Sequence, residues 1–152
     1  MRPWLATLGL LGAAVLAVAA PERIASYSPG ATRTLVDFGA AERIVAATRW
    51  CPLAATHPAS RDCDVFNPDL ERLLRAKPDL VVLPRTSNPL WAERCRGAGL
   101  KVLVLAPESA TSALADIRLI GEALGQTPEA IARLTRPLEG IPTQPPRKLL
   151  IV

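Results

Sequence analysis

The sequence predicts an α/β fold in which a parallel sheet is flanked by helices in three Rossmann-like layers. Two short apolar runs, residues 79–83 and 101–105, have the length and Val/Leu content of strands covered on both faces. Segments with helical spacing of apolar residues lie between and after them, so strand and helix alternate. The 15 prolines of this 152-residue chain stand mostly singly at segment boundaries, as helix starts and turns do.

Residues 23–27 are read as the first strand. Ser28-Pro29 follows as an N-cap with proline at the first helical position, opening a helix to about Phe38 that Gly39 closes. Residues 43–48, rich in Ile, Val and Ala, form the second strand. A loop without apolar periodicity comes next, and Asn67-Pro68-Asp69 then starts a helix through Ala76 that Pro78 ends. Leu70, Leu73 and Leu74 are its expected buried stripe. After the strand at 79–83, a helix over 89–98 stops at Gly99. The strand at 101–105 leads into a helix over 111–124 carrying Leu114, Ile117, Ile120 and Leu124, with Gly125 as its stop. Thr127-Pro128 caps a last helix with Ile131, Leu134 and Leu138 on one face.

The chain divides accordingly. Residues 1–19 read as an export signal, with Arg2, an apolar stretch and the small-residue site Ala17-Val18-Ala19; the stretch is short for a retained membrane anchor. Residues 22–125 form one α/β lobe. Residues 126–146 hold a connecting helix and a linker with Pro142, Pro145 and Pro146, and residues 147–152 begin another buried strand, so a second lobe is expected beyond. Export places Cys51, Cys63 and Cys95 in an oxidising compartment. Cys51 and Cys63 bracket the loop and could staple it as a disulfide, leaving Cys95 as a buried thiol.

Composition excludes some function classes. The formal charge of +4 is scattered, with no Lys/Arg cluster longer than two, so no nucleic-acid footprint is present. The single histidine, His57, has no paired ligand spacing around it and reads as a solvent-exposed loop residue rather than a zinc ligand. Nucleophile-elbow, P-loop and dinucleotide fingerprints are all missing, so no catalytic residue is assigned and no cofactor or protein-bound metal is expected.

In a parallel sheet, ligands bind at the carboxyl ends of the strands. Four stretches belong there: Ser28-Pro29-Gly30, Arg49-Trp50, Pro84-Arg85-Thr86-Ser87 and Pro107-Glu108-Ser109. Backbone N–H groups after Ser28 make a modest anion or carbonyl site. Trp50 is either a platform for a flat ligand or packed on its own loop. Glu71 points outward near a helix start, where the helix dipole alone would favour it.

The stretches Arg23-Ile24-Ala25-Ser26-Tyr27-Ser28-Pro29, Phe66-Asn67-Pro68-Asp69-Leu70-Glu71 and Lys77-Pro78-Asp79-Leu80-Val81-Val82 form an ordered set. With Gly99-Leu100-Lys101-Val102 and Asp116-Ile117-Arg118-Leu119-Ile120-Gly121, the chain resembles the periplasmic substrate-binding proteins of ABC importers for vitamin B12, haem and iron-siderophores. The resemblance covers about residues 22–152. It implies two lobes joined by a helix, with a metal chelate held between them, and a soluble periplasmic protein that meets the membrane only through its permease. It further implies that Trp50 and the stretch from Arg85 to Asn88, Arg85 and Thr86 included, line the cleft and that Glu71 docks on the ABC permease; Ser28 and Pro29 join the ligand site by their place at the end of the first strand. Arg33, where many relatives carry Glu, and Pro137 with Gly140, which shorten or kink the connecting helix, depart from the pattern.

Two rival readings stand beside it. An exported chelatase-like or thiol-redox enzyme would need Cys51 and Cys63 accessible and of lowered pKa. A single-lobe interaction protein would use Glu71 against a partner and hold no ligand.

Overall fold

The computed structural model describes residues 19–140; the proposed signal, most of the linker and the strand expected at 147–152 lie outside the described residues. Four strands form one parallel sheet, β1 (Ile24–Ser26), β2 (Ile44–Ala47), β3 (Leu80–Pro84) and β4 (Lys101–Leu105), in the order β2-β1-β3-β4. Five helices connect and follow them: α1 (Pro29–Asp37), α2 (Leu70–Arg75), α3 (Pro89–Gly97), α4 (Ala110–Ala123) and α5 (Pro128–Thr135). Short 3-10 turns precede β2 and follow α5.

The two faces of the sheet carry separate cores. Ile24, Leu80, Val82 and Leu105 pack with Leu35 of α1 and Ile120 of α4, and Ile131 and Leu134 of α5 close over them. On the other face Ala25, Tyr27, Val81 and Leu83 pack with Leu73 of α2 and with Trp91 and Cys95 of α3. Alternating residues of β1 and β3 thus supply both cores, which is why the run at β3 is apolar throughout. The result is the expected three-layer sandwich.

Helix starts follow the capping chemistry. Ser28 accepts from the Ala31 N–H with Pro29 in the first turn, Asn88 accepts from Leu90 ahead of Pro89, and Thr127 does the same for α5. Gly39 and Gly99 take positive φ, +77° and +82°, just past α1 and α3, where a side chain would be strained. Arg23 ties the start of the sheet to the turn before β3. Its guanidinium donates to the carbonyls of Lys77 (2.9 Å) and Ala76 (2.8 Å), while the Asp79 carboxylate accepts from the N–H groups of Glu22 and Arg23.

Several expectations are corrected. The second helix starts later than Asn67-Pro68: Asp69 is its cap, accepting from the Arg72 N–H, and the helix runs only Leu70–Arg75. Leu74 does not join the buried stripe and is 41% exposed; Leu73 alone is fully buried there. The β4 run looks as apolar as β3 in sequence, yet only Leu105 is buried, because β4 is an edge strand. His57 is half-buried rather than solvent-exposed. Its Nδ1 accepts from the Ala59 N–H (3.1 Å), so the proton lies on Nε2, which donates to the Ala41 carbonyl (3.0 Å).

The Cys51–Cys63 staple is also absent, and all three cysteines are free, buried thiols. The two sit in different cores: Cys51 Sγ lies 3.0 Å from the Thr32 hydroxyl oxygen on the α1 face, whereas Cys63 meets the Tyr27 hydroxyl on the α2 face. Arg61 holds the loop in place of a bridge, donating to the carbonyls of Cys51, Leu53 and Ala54, each at 3.1 Å. The loop then returns along the sheet, where Ser60 pairs in parallel with Ala46 and covers the β2 edge.

Two tests follow from this packing. A Cβ built on Gly121 would lie 2.5 Å from Ile131 Cγ1 and 3.1 Å from Phe38 Cζ, so α4 and α5 touch through a glycine. Gly121→Ala is expected to cost about 1–3 kcal/mol by overpacking, with partial recovery in the Gly121→Ala/Ile131→Ala double variant, measured by denaturant unfolding. Burial pushes the Cys63 thiol up to about 12 from an ordinary 9.0. The folded state therefore holds a proton that the unfolded chain releases first, and this group's contribution is full below pH 9 and lost as the pH rises to 12. Its slope, about 1.4 kcal/mol per pH unit, should vanish from the alkaline limb of the stability curve in Cys63→Ala.

Candidate functional site

Because all four strands are parallel, the loops after β1, β2, β3 and β4 emerge at one edge of the sheet. In the spatial order of the strands, that edge presents Thr48-Arg49-Trp50, then Ser28, then Pro84-Arg85-Thr86, then Pro107-Glu108. Strand order reverses direction between β1 and β3, the switch point at which open α/β sheets form a crevice.

Trp50 is 77% exposed and does not pack into its own loop. Its backbone N–H donates to Thr48 Oγ1, which in turn contacts the Cys51 thiol at 3.2 Å. The Arg49 guanidinium lies 5.9 Å from the Trp50 ring centroid, a cation over an aromatic face. Beside the ring runs a groove of about 650 Å³ lined by Trp50, Phe66, Arg49, Arg61 and Arg72 together with Asp62, Asp64 and Asp69. Much of its charge is already committed: Arg61 to loop carbonyls, Asp64 to the N–H groups of Phe66 and Asn67, and Asp69 to Arg72. The Arg72 backbone N–H holds the Asp69 carboxyl below its usual range, aided by the Arg72 and Arg75 guanidiniums. Arg49 makes no ion pair among the described residues, so the groove offers two aromatic faces and a cation.

Ser28 borders a smaller, mostly apolar cavity of about 170 Å³ between α1 and α4, with Asp116 and Ile117 on its other side. Its hydroxyl accepts from the Ala31 N–H, and its carbonyl accepts from the Thr32 N–H. Pro29 has no N–H and the Ala31 and Thr32 N–H groups are bonded within the turn, so the Ser28 hydroxyl proton and the Gly30 N–H are the donors at the anion site expected there. Arg85 and Thr86 sit at the exposed tip of a turn closed by the Ser87 N–H to the Pro84 carbonyl (2.9 Å). Arg85 pairs with Glu108 at 2.9 Å, joining the loops after β3 and β4 across solvent. Glu71 is exposed in the first turn of α2 and lines none of these cavities.

The residues singled out from sequence therefore share an edge but not one pocket. Trp50, Ser28 and Arg85 border three separate depressions along it. Phe66 went unweighted as a site residue and is 96% exposed. Its signal lay in the turn residues around it, Asp64 to Pro68, which give an aromatic no apolar periodic partner. Among the described residues no cluster of His, Cys, Asp and Glu could hold a metal ion, and no helix is long and apolar enough to cross a membrane. Burial raises the thiols of Cys63 and Cys95, to about 12 and about 11, which is opposite to what a redox nucleophile requires.

No protein-family profile matches the chain, and no curated protein matches its sequence. Solved structures match its fold. A possible iron-binding periplasmic solute-binding protein of Staphylococcus epidermidis superposes with a TM-score of 0.69 at 21% identity, over 77% of this chain and 47% of its own. The periplasmic vitamin B12 binding protein of Vibrio cholerae gives 0.67 at 20% identity, over 78% and 47%. The periplasmic haem-binding protein of the same organism gives 0.68 at 19% identity, over 76% and 46%. These neighbours are binding proteins, and the chain spans a little under half the length of each. The chain is thus similar in fold to about half of a periplasmic solute-binding protein, a parallel α/β lobe with its loops at one edge.

Proposed function

We propose that this chain is the N-terminal lobe of the periplasmic solute-binding component of an ABC importer. It captures a metal chelate, a corrinoid, haem or ferric siderophore, and delivers it to a permease without making or breaking bonds. The observation that carries this reading is Trp50: a large aromatic face, 77% exposed at the carboxyl edge of a parallel sheet. An exposed tryptophan beside a groove of about 650 Å³ suits a flat, bulky ligand better than it suits the loop's own packing. The fold of B12- and haem-binding neighbours supports the same class of ligand.

In this role Ser28, Pro29, Arg85 and Thr86 complete the cleft edge, and the metal arrives inside the chelate. A second lobe, continuing from α5, closes the cleft. One lobe covers a single side of a ligand, whereas effective pockets bury about 70–90% of its surface. Affinity of the lobe alone should therefore be weak. Glu71, exposed in the first turn of α2 and outside the lining of the groove, is the docking residue toward the permease. The export signal at 1–19 places the protein in the periplasm, peripheral to the membrane.

Tryptophan emission titrated with haemin, a cobalamin and a ferric siderophore tests the ligand reading. One class should quench saturably, and Trp50→Ala should weaken that binding by about tenfold, roughly 1.4 kcal/mol. Equal affinity in Trp50→Ala, or no response to any class, would sink it. For docking, Glu71→Arg should lower uptake by about tenfold in cells carrying the cognate importer while the emission titration stays unchanged. Undiminished uptake would remove Glu71 from the permease interface.

A further inference from the structure

The cavity between α1 and α4 differs in kind from the Trp50 groove and shares no lining residue with it. Its walls are mostly apolar, with Ala31, Leu105, Pro107, Ile117 and Ile120 among them. Ala31, Leu105 and Ile120 belong to the core on the α1 face, so the floor is held by packing rather than by a loop. An apolar cavity of about 150 Å³ suffices for a benzene ring. The space here, about 170 Å³, is therefore the size of one ring.

The few polar groups of the lining have fixed roles. Thr34 donates its proton to the Gly30 carbonyl (3.3 Å). Ser28 Oγ accepts from the Ala31 N–H, which leaves its own proton free, and the Gly30 N–H has no acceptor among the described residues. Asp116 is the one charged residue in the lining. Its Oδ1 accepts from the Ala106 N–H (3.4 Å), its Oδ2 is sealed inside without a partner, and it makes no ion pair among the described residues.

That uncompensated carboxylate decides among ring-bearing ligands. An anion would lose its water against apolar walls and face a like charge across the cavity. A cation would be drawn toward Asp116 but could not touch the sealed Oδ2, so it too would be desolvated without a partner. An uncharged oxygen acceptor suffers neither penalty and meets the two free donors.

We propose that this cavity binds a small uncharged ring compound bearing one carbonyl, with the carbonyl oxygen accepting from the Ser28 hydroxyl and the Gly30 N–H and the ring lying against Ile117 and Ile120. It goes beyond the chelate reading and does not rest on it. The test uses a ligand without metal, so the failure of one reading is distinguishable from the failure of the other.

The probe is cyclohexanone, with cyclohexylamine and sodium cyclohexanecarboxylate as charged controls at neutral pH, titrated into the full chain and followed through backbone amide NMR shifts. Cyclohexanone should give saturable shifts at Gly30, Ala31, Ala113 and Ile117, and neither control should saturate over the same range. Ser28→Asp keeps a capping oxygen but replaces the donor with a carboxylate, and should weaken ketone binding by about tenfold. Ala113→Leu, which fills the cavity from α4, should abolish it and serves if Ser28→Asp fails to fold. Asp116→Asn keeps an oxygen for the Ala106 N–H while removing the charge, and should strengthen binding of the carboxylate control by about tenfold. The proposal is overturned by the absence of a saturable shift with cyclohexanone, by shifts that gather at Trp50 and Phe66 instead, or by a control that binds as tightly as the ketone. Undiminished ketone binding in both the Ser28 and Ala113 variants, or continued exclusion of the carboxylate by Asp116→Asn, overturns it as well.

Discussion

Everything in this lobe hangs on β1, three residues long, buried throughout and paired on both sides. Ile24, Ala25 and Ser26 register with Leu80, Val81 and Val82 of β3 on one side and with β2 on the other. Parallel strands need crossovers, and crossovers keep one hand. The step from β1 out to β2 runs over one face through α1, and the steps back to β3 and on to β4 run over the other through α2 and α3. Opposite directions on opposite faces share a hand, so the sequence order and the two cores are a single constraint. A polar knot secures the loops at the end of β1. Thr32 donates to Ser26 Oγ (2.8 Å), its oxygen meets the Cys51 thiol, and that thiol meets Thr48, which holds the Trp50 N–H. The orientation of the exposed ring thus traces back to a fully buried network.

The same rule of hand bears on what can follow. Helix α4 lies on the α1 face, and α5 packs on α4 over that face. A strand placed beyond β4 after those helices would continue in the direction of β3 to β4 but over the opposite face, giving the rare left-handed crossover. A strand placed beyond β2 would have the right hand, but that edge is taken by the backbone of Ser60 and Cys63. A further parallel strand after α5 is thereby steered away from this sheet and toward another.

Most of the element order was legible in the sequence because caps, prolines and apolar runs are local signals. Ser28-Pro29 and Thr127-Pro128 start helices where expected, and all four strands were found. What sequence could not carry was position in the sheet. The runs at β3 and β4 look alike, yet one is central and the other an edge, because pairing partners are set by crossovers far along the chain. The cysteines show the same limit. A twelve-residue spacing suits a staple, but Cys51 and Cys63 turn to opposite faces of the sheet at its carboxyl edge. The site edge followed from parallel topology, so Trp50, Ser28 and Arg85 could be placed on it. Phe66 and the cavity beside Ser28 could not be weighed, since exposure and enclosure are properties of the packed structure.

Spacing along the edge limits what the lobe can hold. Four strands about 4.8 Å apart put the loop of Trp50 roughly 14 Å from the loop of Glu108. A flat macrocycle laid across that edge would meet an aromatic face and Arg49 at one end, and the Arg85–Glu108 pair at the other. Its second face would remain in water, with Trp50 and Phe66 only partly covered. Aromatic surface left this open, 77% and 96%, gains its stabilisation only when an opposing surface removes the water. A further parallel strand in this sheet would need either a rare left-handed crossover beyond β4 or the β2 edge that Ser60 covers. In the proposed role a separate lobe facing the edge supplies the opposing surface, and the affinity of the whole protein would then be set by how closely the two edges approach around the ligand.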